Sequence, residues 1–129
     1  MNTFNVDKDE LKKKLTDIEY EVTQEKGTEM PYTGKYNNHF DQGSYHCLIC
    51  DQDLFKSDDK FQSGCGWPAF SESNKETITY TEDNSHNMKR VEITCKKCGS
   101  HLGHVFDDGP TQTKKRYCVN SVSINFKQK

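Results

Sequence analysis

Apolar positions are sparse along this chain, and their period changes partway through it. Leu11, Leu15 and Ile18 recur at i, i+4 and i+7, a narrow stripe that predicts an amphipathic helix. Asp7 and Glu10 stand at capping-box spacing, with Asp in place of the usual Ser or Thr, and Val6 and Leu11 fill the two positions of a hydrophobic staple. Thr16 and Glu19 form a second capping box, which predicts a restart near residue 17. Gly27 breaks the helix and Pro31 excludes one. Residues 31–44, with Pro31, Gly34, Asn37, Asn38 and Gly43, read as a wrapping loop. Farther on the period falls to two. Residues 77–80 (TITY) and 90–93 (RVEI) alternate as strands, with residues 83–87 as the turn between them, and Gly109-Pro110 marks another turn. Residues 117–126 read as one last strand. Its first face carries Cys118, Asn120, Val122, Ile124 and Phe126; Tyr117, Val119, Ser121, Ser123 and Asn125 take the other. On that reading Cys118 and Asn120 share the apolar face, at the mouth of the core.

Composition adds a problem that the pattern alone does not show. Leu, Ile, Val and Phe make up only 23 of the 129 residues, close to the range of disordered chains. A formal net charge of −2 lacks the other half of the disorder signature. The expectation is one folded domain, residues 1–129, monomeric, with a thin core that needs reinforcement. No apolar run approaches the roughly 18 residues of a membrane span. The first thirty residues are charged throughout and show no signal-peptide core, which predicts a cytoplasmic protein with no membrane partner. The near-neutral charge and the absence of a basic stripe argue against a nucleic-acid partner.

Six cysteines supply the reinforcement. Cys47 and Cys50 form one C-x-x-C pair, Cys95 and Cys98 another. Two residues between ligands let both sulfurs of a pair reach one metal, so the four predict a closed, structural zinc site. The competing reading is a pair of redox dithiols. Gly99, just after the second pair, suits the positive φ of such turns. Forty-four residues separate Cys50 from Cys95, against about 15–20 in a simple zinc ribbon. The metal therefore clips a larger body together and offsets the entropy of a long loop. A zinc-ribbon binding module and a thiol–disulfide oxidoreductase are the rival classes.

Cys65 and Cys118 remain, either as seats of chemistry or as small buried hydrophobes. Strand parity places Arg116 on the face of Cys118, where a guanidinium would lower the thiol's pKa; the alternative is a solvated surface charge. Trp67 lies in a Gly- and Pro-rich loop, where an indole needs something to pack on or to bind. His101 and His104 follow the second knuckle at i, i+3. They are surplus as metal ligands, and are read either as surface residues or as a proton donor and water-holder near a reactive thiol.

Three segments, residues 63–70 (SGCGWPAF), 95–107 (CKKCGSHLGHVFD) and 116–121 (RYCVNS), closely resemble the B-type methionine sulfoxide reductases. The similarity runs from about Lys8 to Phe126 and includes Val22-Thr23-Gln24, Gly27-Thr28-Glu29 and Pro31-Tyr32-Thr33-Gly34. The resemblance implies a mainly β fold of two antiparallel sheets packed at an angle, with N-terminal helices and a structural zinc site. It implies reduction of methionine-R-sulfoxide in oxidised proteins or peptides. Cys118 would be the nucleophile, passing through a sulfenic acid, and Cys65 the resolving cysteine; thioredoxin would reduce the Cys65–Cys118 disulfide. Trp67 would contact the substrate methyl, while His101, His104, Arg116 and Asn120 would line the pocket. Cys47, Cys50, Cys95 and Cys98 match the Zn2+ ligands of the metal-containing branch. Ala69 stands where many relatives have Ser, and Asn87 where they often have Gly.

Overall fold

Two capped helices lead into the sheets. In the computed structural model, residues 7–37, 39–62, 64–84 and 89–128 are described; Val6 of the expected staple, Ser63, and residues 85–87 of the expected turn lie outside them. Asp7 accepts hydrogen bonds from the backbone N–H of Asp9 and Glu10, at 3.1 and 3.3 Å, and opens α1, Lys8–Lys14. The reciprocal Thr16/Glu19 box opens α2, Asp17–Glu25. Satisfying the N–H groups at residue 16 fixes extended backbone there, so the two helices are separate. The Leu11–Leu15–Ile18 stripe is therefore not one core-facing surface. No residue of α1 is buried, Ile18 is exposed, and the apolar side chain that α2 buries is Val22.

Among the described residues nine strands follow. β1 (Gly43–Cys47), β2 (Asp53–Lys56) and β9 (Ile124–Gln128) make a three-stranded antiparallel sheet in the order β2-β1-β9. β3 (Lys60–Phe61), β4 (Ala69–Phe70), β5 (Ile78–Asp83), β6 (Arg90–Cys95), β7 (His101–Phe106) and β8 (Arg116–Val119) make a six-stranded one in the order β3-β4-β8-β7-β6-β5. The core draws on both sheets, with Tyr45, Leu54, Phe55 and Ile124 from the first and Phe70, Ile93, Leu102 and Val119 from the second. Aromatic rings carry much of it. Phe55 stacks on Phe70 with centroids 4.4 Å apart, and Tyr45 meets Phe70 edge-on at 5.2 Å. Large rings bury more area per residue than aliphatic side chains, which is how so few apolar residues suffice.

The C-terminal run departs from the single-strand reading. β8 ends at Val119, a 3-10 turn spans Ser121–Ser123, and β9 belongs to the other sheet. The crossing is at Asn120, whose N–H donates to the Leu102 carbonyl. Alternation holds within β8 alone: Tyr117 and Val119 are buried, Arg116 and Cys118 half-exposed. Cys118 therefore faces away from the core, on the side of Arg116, and Asn120 lines the same cavity as both.

Candidate active site and metal centre

Cys47 ends β1 and Cys95 ends β6, so the two C-x-x-C turns grow from different sheets. The turns match each other. Asp51 N–H donates to Cys47 O at 2.9 Å and Gly99 N–H to Cys95 O at 2.7 Å, and both donors are left-handed, with φ of 66° and 78°. All four sulfurs lie within 4.8 Å of one another. Cys50–Cys95 at 3.4 Å and Cys47–Cys98 at 3.6 Å join one knuckle to the other. Metal–sulfur bonds of about 2.3 Å give a tetrahedral edge of about 3.8 Å, whereas a disulfide needs about 2.05 Å. The donor set thus fits a tetrahedral divalent ion, with every position taken by sulfur. Hydrogen bonds to Cys95 and Cys98, and then burial, push the Cys47 thiol up. The contacts from Cys47 and Cys95 pull Cys98 down to about 2. Four thiolates this close need a cation. The shared cluster disposes of two separate dithiols.

Cys118 sits mid-β8, its Cα paired with His104 of β7 on one side and Ala69 of β4 on the other. It opens on a cavity of about 250 Å³ lined by Cys65, Trp67, His104, Phe106 and Arg116, among others. Cys65 belongs to the loop between β3 and β4, flanked by Gly64 and Gly66 with φ of 75° and 99°. Its Sγ lies 4.0 Å from that of Cys118, and no disulfide joins them. Trp67 is fixed by its indole N–H, which donates to Glu29 O at 3.0 Å. The Glu29 N–H in turn donates to Asn120 Oδ1 at 3.0 Å, and Asn120 Nδ2 donates to Leu102 O at 3.1 Å. Asn120 therefore lines the cavity with both its amide oxygen and its amide nitrogen in hydrogen bonds, and it anchors the segment that holds Trp67.

Arg116 does reach the Cys118 face, as parity requires, and is held there. Its Nε and a terminal nitrogen donate to the two oxygens of Asp108 at 2.8 and 3.0 Å, and its guanidinium lies 4.4 Å from the Phe106 ring centre. The expected lowering of the Cys118 pKa is not found. The hydrogen bond with Cys65, followed by burial, holds the Cys118 proton and raises its pKa; Arg116 pulls the other way and loses. The reason is local: the guanidinium already has a bidentate carboxylate partner, while the second thiol is in contact.

The two histidines separate. His104 lines the cysteine cavity and bonds Asp83 through Nε2 at 2.8 Å; Arg90 reaches the same oxygen at 3.3 Å. His101 is buried one layer behind, its ring 5.7 Å from that of His104, with Nδ1 2.8 Å from Glu92 Oε2. It faces an adjoining polar cavity, not the cysteines. Burial lowers its pKa, against the opposing pull of the Glu92 carboxylate. Sequence reasoning missed Phe106, Asp83, Glu92 and Asp108. Asp83 was within reach, since it pairs with Arg90 across the β5–β6 hairpin that the alternation predicts. A larger groove of about 460 Å³ between α2 and the Ser121–Ser123 turn holds no cysteine or histidine, so it lacks the chemistry of the smaller cavity.

The sequence model of the SelR domain matches residues 15–128. Methionine-R-sulfoxide reductase B3, mitochondrial, of Mus musculus is 55% identical over 118 residues, covering 91% of this chain and 47% of that protein. Methionine-R-sulfoxide reductase B1 of Drosophila melanogaster is 49% identical over 134 aligned positions, covering 94% of this chain and 64% of that protein. The chain thus spans about half to two-thirds of the length of these curated relatives. Among solved structures, the crystal structure of the Mis18 'Yippee-like' domain superposes with a TM-score of 0.55 at 17% identity, over 67% of this chain and 96% of that one. At that identity the likeness is one of fold.

Proposed function

The chain belongs to the SelR-domain family, in which its relatives are methionine-R-sulfoxide reductases, and from that membership we propose that it reduces methionine-R-sulfoxide in oxidised proteins and peptides to methionine. One observation supports this reading above the others: two cysteine sulfurs 4.0 Å apart on the wall of a cavity that also offers an aromatic surface and a carboxylate-held histidine.

Sulfoxide sulfur is electron-poor and its oxygen is a strong acceptor. In the proposed reaction the Cys118 thiolate attacks that sulfur while the oxygen is protonated. Trp67 and Phe106 cradle the methyl group. His104, oriented by Asp83, supplies the proton directly or through a water it holds, and His101 keeps His104 in place from behind. Asn120 acts through Glu29 by holding Trp67. The products are methionine and a Cys118 sulfenic acid, which Cys65 converts to a disulfide. Thioredoxin, a low-potential dithiol, then reduces it. In the four-cysteine cluster zinc would close the two sheets on each other and take no part in these steps. A monomeric protein of the reducing cytoplasm suits this cycle.

Turnover of the two sulfoxide epimers with dithiothreitol tests the proposal. The R epimer is expected to be reduced and the S epimer spared; inert R epimer defeats the reading. Cys65→Ser is expected to yield about one equivalent of methionine per chain and then stall as a sulfenic acid that dimedone traps. Dithiothreitol rescues it and thioredoxin does so poorly. Undiminished thioredoxin-driven turnover, with no Cys65–Cys118 disulfide in the wild type, would remove Cys65 from the cycle.

The thiol pair also has a pH signature. Cys65 is the largest cause that raises the Cys118 pKa, and Arg116 opposes it. Removing the neighbouring thiol in Cys65→Ala deletes the raising cause and leaves the lowering one. The midpoint for alkylation of Cys118 by iodoacetamide, with pH varied, is expected to lie lower in Cys65→Ala than in wild type. Equal midpoints would show that Cys65 does not hold the Cys118 proton.

A further inference from the structure

The loop that carries Cys65 has a glycine with positive φ on each side, a backbone that can take many shapes. Yet it stands in one, with Cys65 Sγ 4.0 Å from Cys118 Sγ. One restraint lies within the loop, where the Cys65 thiol donates to Trp67 O at 3.4 Å; others come from outside it. Tyr32 N–H donates to Gly66 O at 2.7 Å, and the Tyr32 hydroxyl donates to Gly64 O at 2.5 Å. One side chain and its own backbone thus bond the carbonyls on both sides of Cys65. The ring and its neighbour also fill the space over Gly66, where a Cβ would lie 2.6 Å from Pro31 Cβ and 3.2 Å from Tyr32 Cε2.

Tyr32 itself is not held by the core. The residue is 66% exposed, so burial does not hold it there. Its φ is 66°, a left-handed conformation that bulky residues seldom adopt. That φ suits the third position of the Met30–Thr33 turn, which has Pro31 at its second position and which Thr33 N–H closes on Met30 O at 3.3 Å; from that turn the Tyr32 N–H and hydroxyl reach the two loop carbonyls. Tyr32 does not line the cysteine cavity.

We propose that Tyr32 is a positioning residue for the second half of the cycle: it clamps the Gly64–Cys65–Gly66 segment so that Cys65 meets Cys118. The inference rests on the reductase reading given above. In the step it serves, Cys65 sulfur, as thiolate, attacks the sulfur of the Cys118 sulfenic acid. The S–S bond forms, the S–O bond breaks, and the oxygen leaves as water with the proton that Cys65 gave up. Cys65 is oxidised and no outside reductant enters. The clamp holds the two sulfurs near contact distance, which raises their effective concentration. The attack of Cys118 on the sulfoxide involves neither carbonyl and does not need the clamp.

Tyr32→Phe keeps the ring and the backbone bond and deletes the hydroxyl. Tyr32→Asn tolerates the left-handed backbone and deletes the ring as well. Single turnover on an N-acetylated, amidated methionine-R-sulfoxide separates the two halves of the cycle. The methionine burst is expected at the wild-type rate in both variants. Loss of the dimedone-trappable sulfenic acid is expected to slow several-fold in Tyr32→Phe and further in Tyr32→Asn. A second measurement needs no sulfoxide chemistry: in glutathione redox buffers, the fraction of Cys65–Cys118 disulfide gives the effective concentration of the pair, and this should fall in the same order. A slowed burst, or sulfenic acid lost at the wild-type rate, overturns the role. A wild type that reduces no sulfoxide defeats the reductase reading, and an unchanged glutathione equilibrium in Tyr32→Phe defeats the clamp by itself.

Discussion

Cys118→Ser is expected to reduce no methionine-R-sulfoxide, with thioredoxin or with dithiothreitol, while folding normally and keeping its metal. Both halves of that result follow from the position of the residue. Chemically, a hydroxyl at Cys118 is a far weaker nucleophile at neutral pH than a thiol, because far less of it ionises and oxygen is less polarisable than sulfur. Small thiols regenerate an enzyme but do not substitute for its nucleophile, so dithiothreitol gives no rescue. Structurally, Cys118 is half-exposed on the cavity face of β8, and the strand is held by Tyr117 and Val119 on its other face. A sulfur-to-oxygen change there removes no core contact, and a stability change within about 0.5 kcal/mol is expected of such a site. Activity, thermal melting and metal content measured on one preparation give the test. Appreciable turnover in a folded Cys118→Ser protein would take the nucleophile's role from this residue.

What was legible beforehand divides along physical lines. Local rules read locally: the Thr16/Glu19 box, the strands around Ile78 and Ile93, and the two knuckle turns are each set by a few neighbouring residues, and each is present. The Leu11–Leu15–Ile18 stripe failed because the capping box inside it is stronger than a period running through it. The reading of residues 117–126 failed for a related reason. Alternation assumes one sheet, and the chain changes sheets at Asn120 without any break in the pattern. The grouping of Cys47, Cys50, Cys95 and Cys98 was legible because C-x-x-C spacing is itself the geometry of a turn. The carboxylates were not. Asp108 lies eight residues before Arg116, and Glu92 nine before His101; such partners meet only through strand register, which one sequence shows poorly. Hence the histidines could be placed near the site, but not in order of depth.

Loss of the metal is expected to unfold the protein under conditions where the loaded form is stable. The aliphatic core is thin, and Cys47 and Cys95 are among its fully buried residues. They sit at the ends of β1 and β6, one in each sheet, so the four-sulfur cluster is a cross-link between the two layers. Binding of structural zinc by small domains is worth about 10–16 kcal/mol, comparable to or larger than the roughly 5–15 kcal/mol of a whole domain's stability. Even if only about 3 kcal/mol of this is lost in Cys95→Ser, the melting temperature falls by about 10 °C or more. The variant also leaves a buried hydroxyl among three crowded thiols. Prolonged chelation of the wild type should have the same effect with the sequence unchanged, which separates loss of the ion from any defect of the substitution. The measurement is melting temperature against zinc bound per chain, with R-sulfoxide turnover followed in parallel. Turnover should track the folded fraction, since no cluster sulfur lines the Cys118 cavity. A metal-free protein that melts where the loaded one does would overturn the structural role, and one that stays folded but loses turnover would move the metal into the reaction.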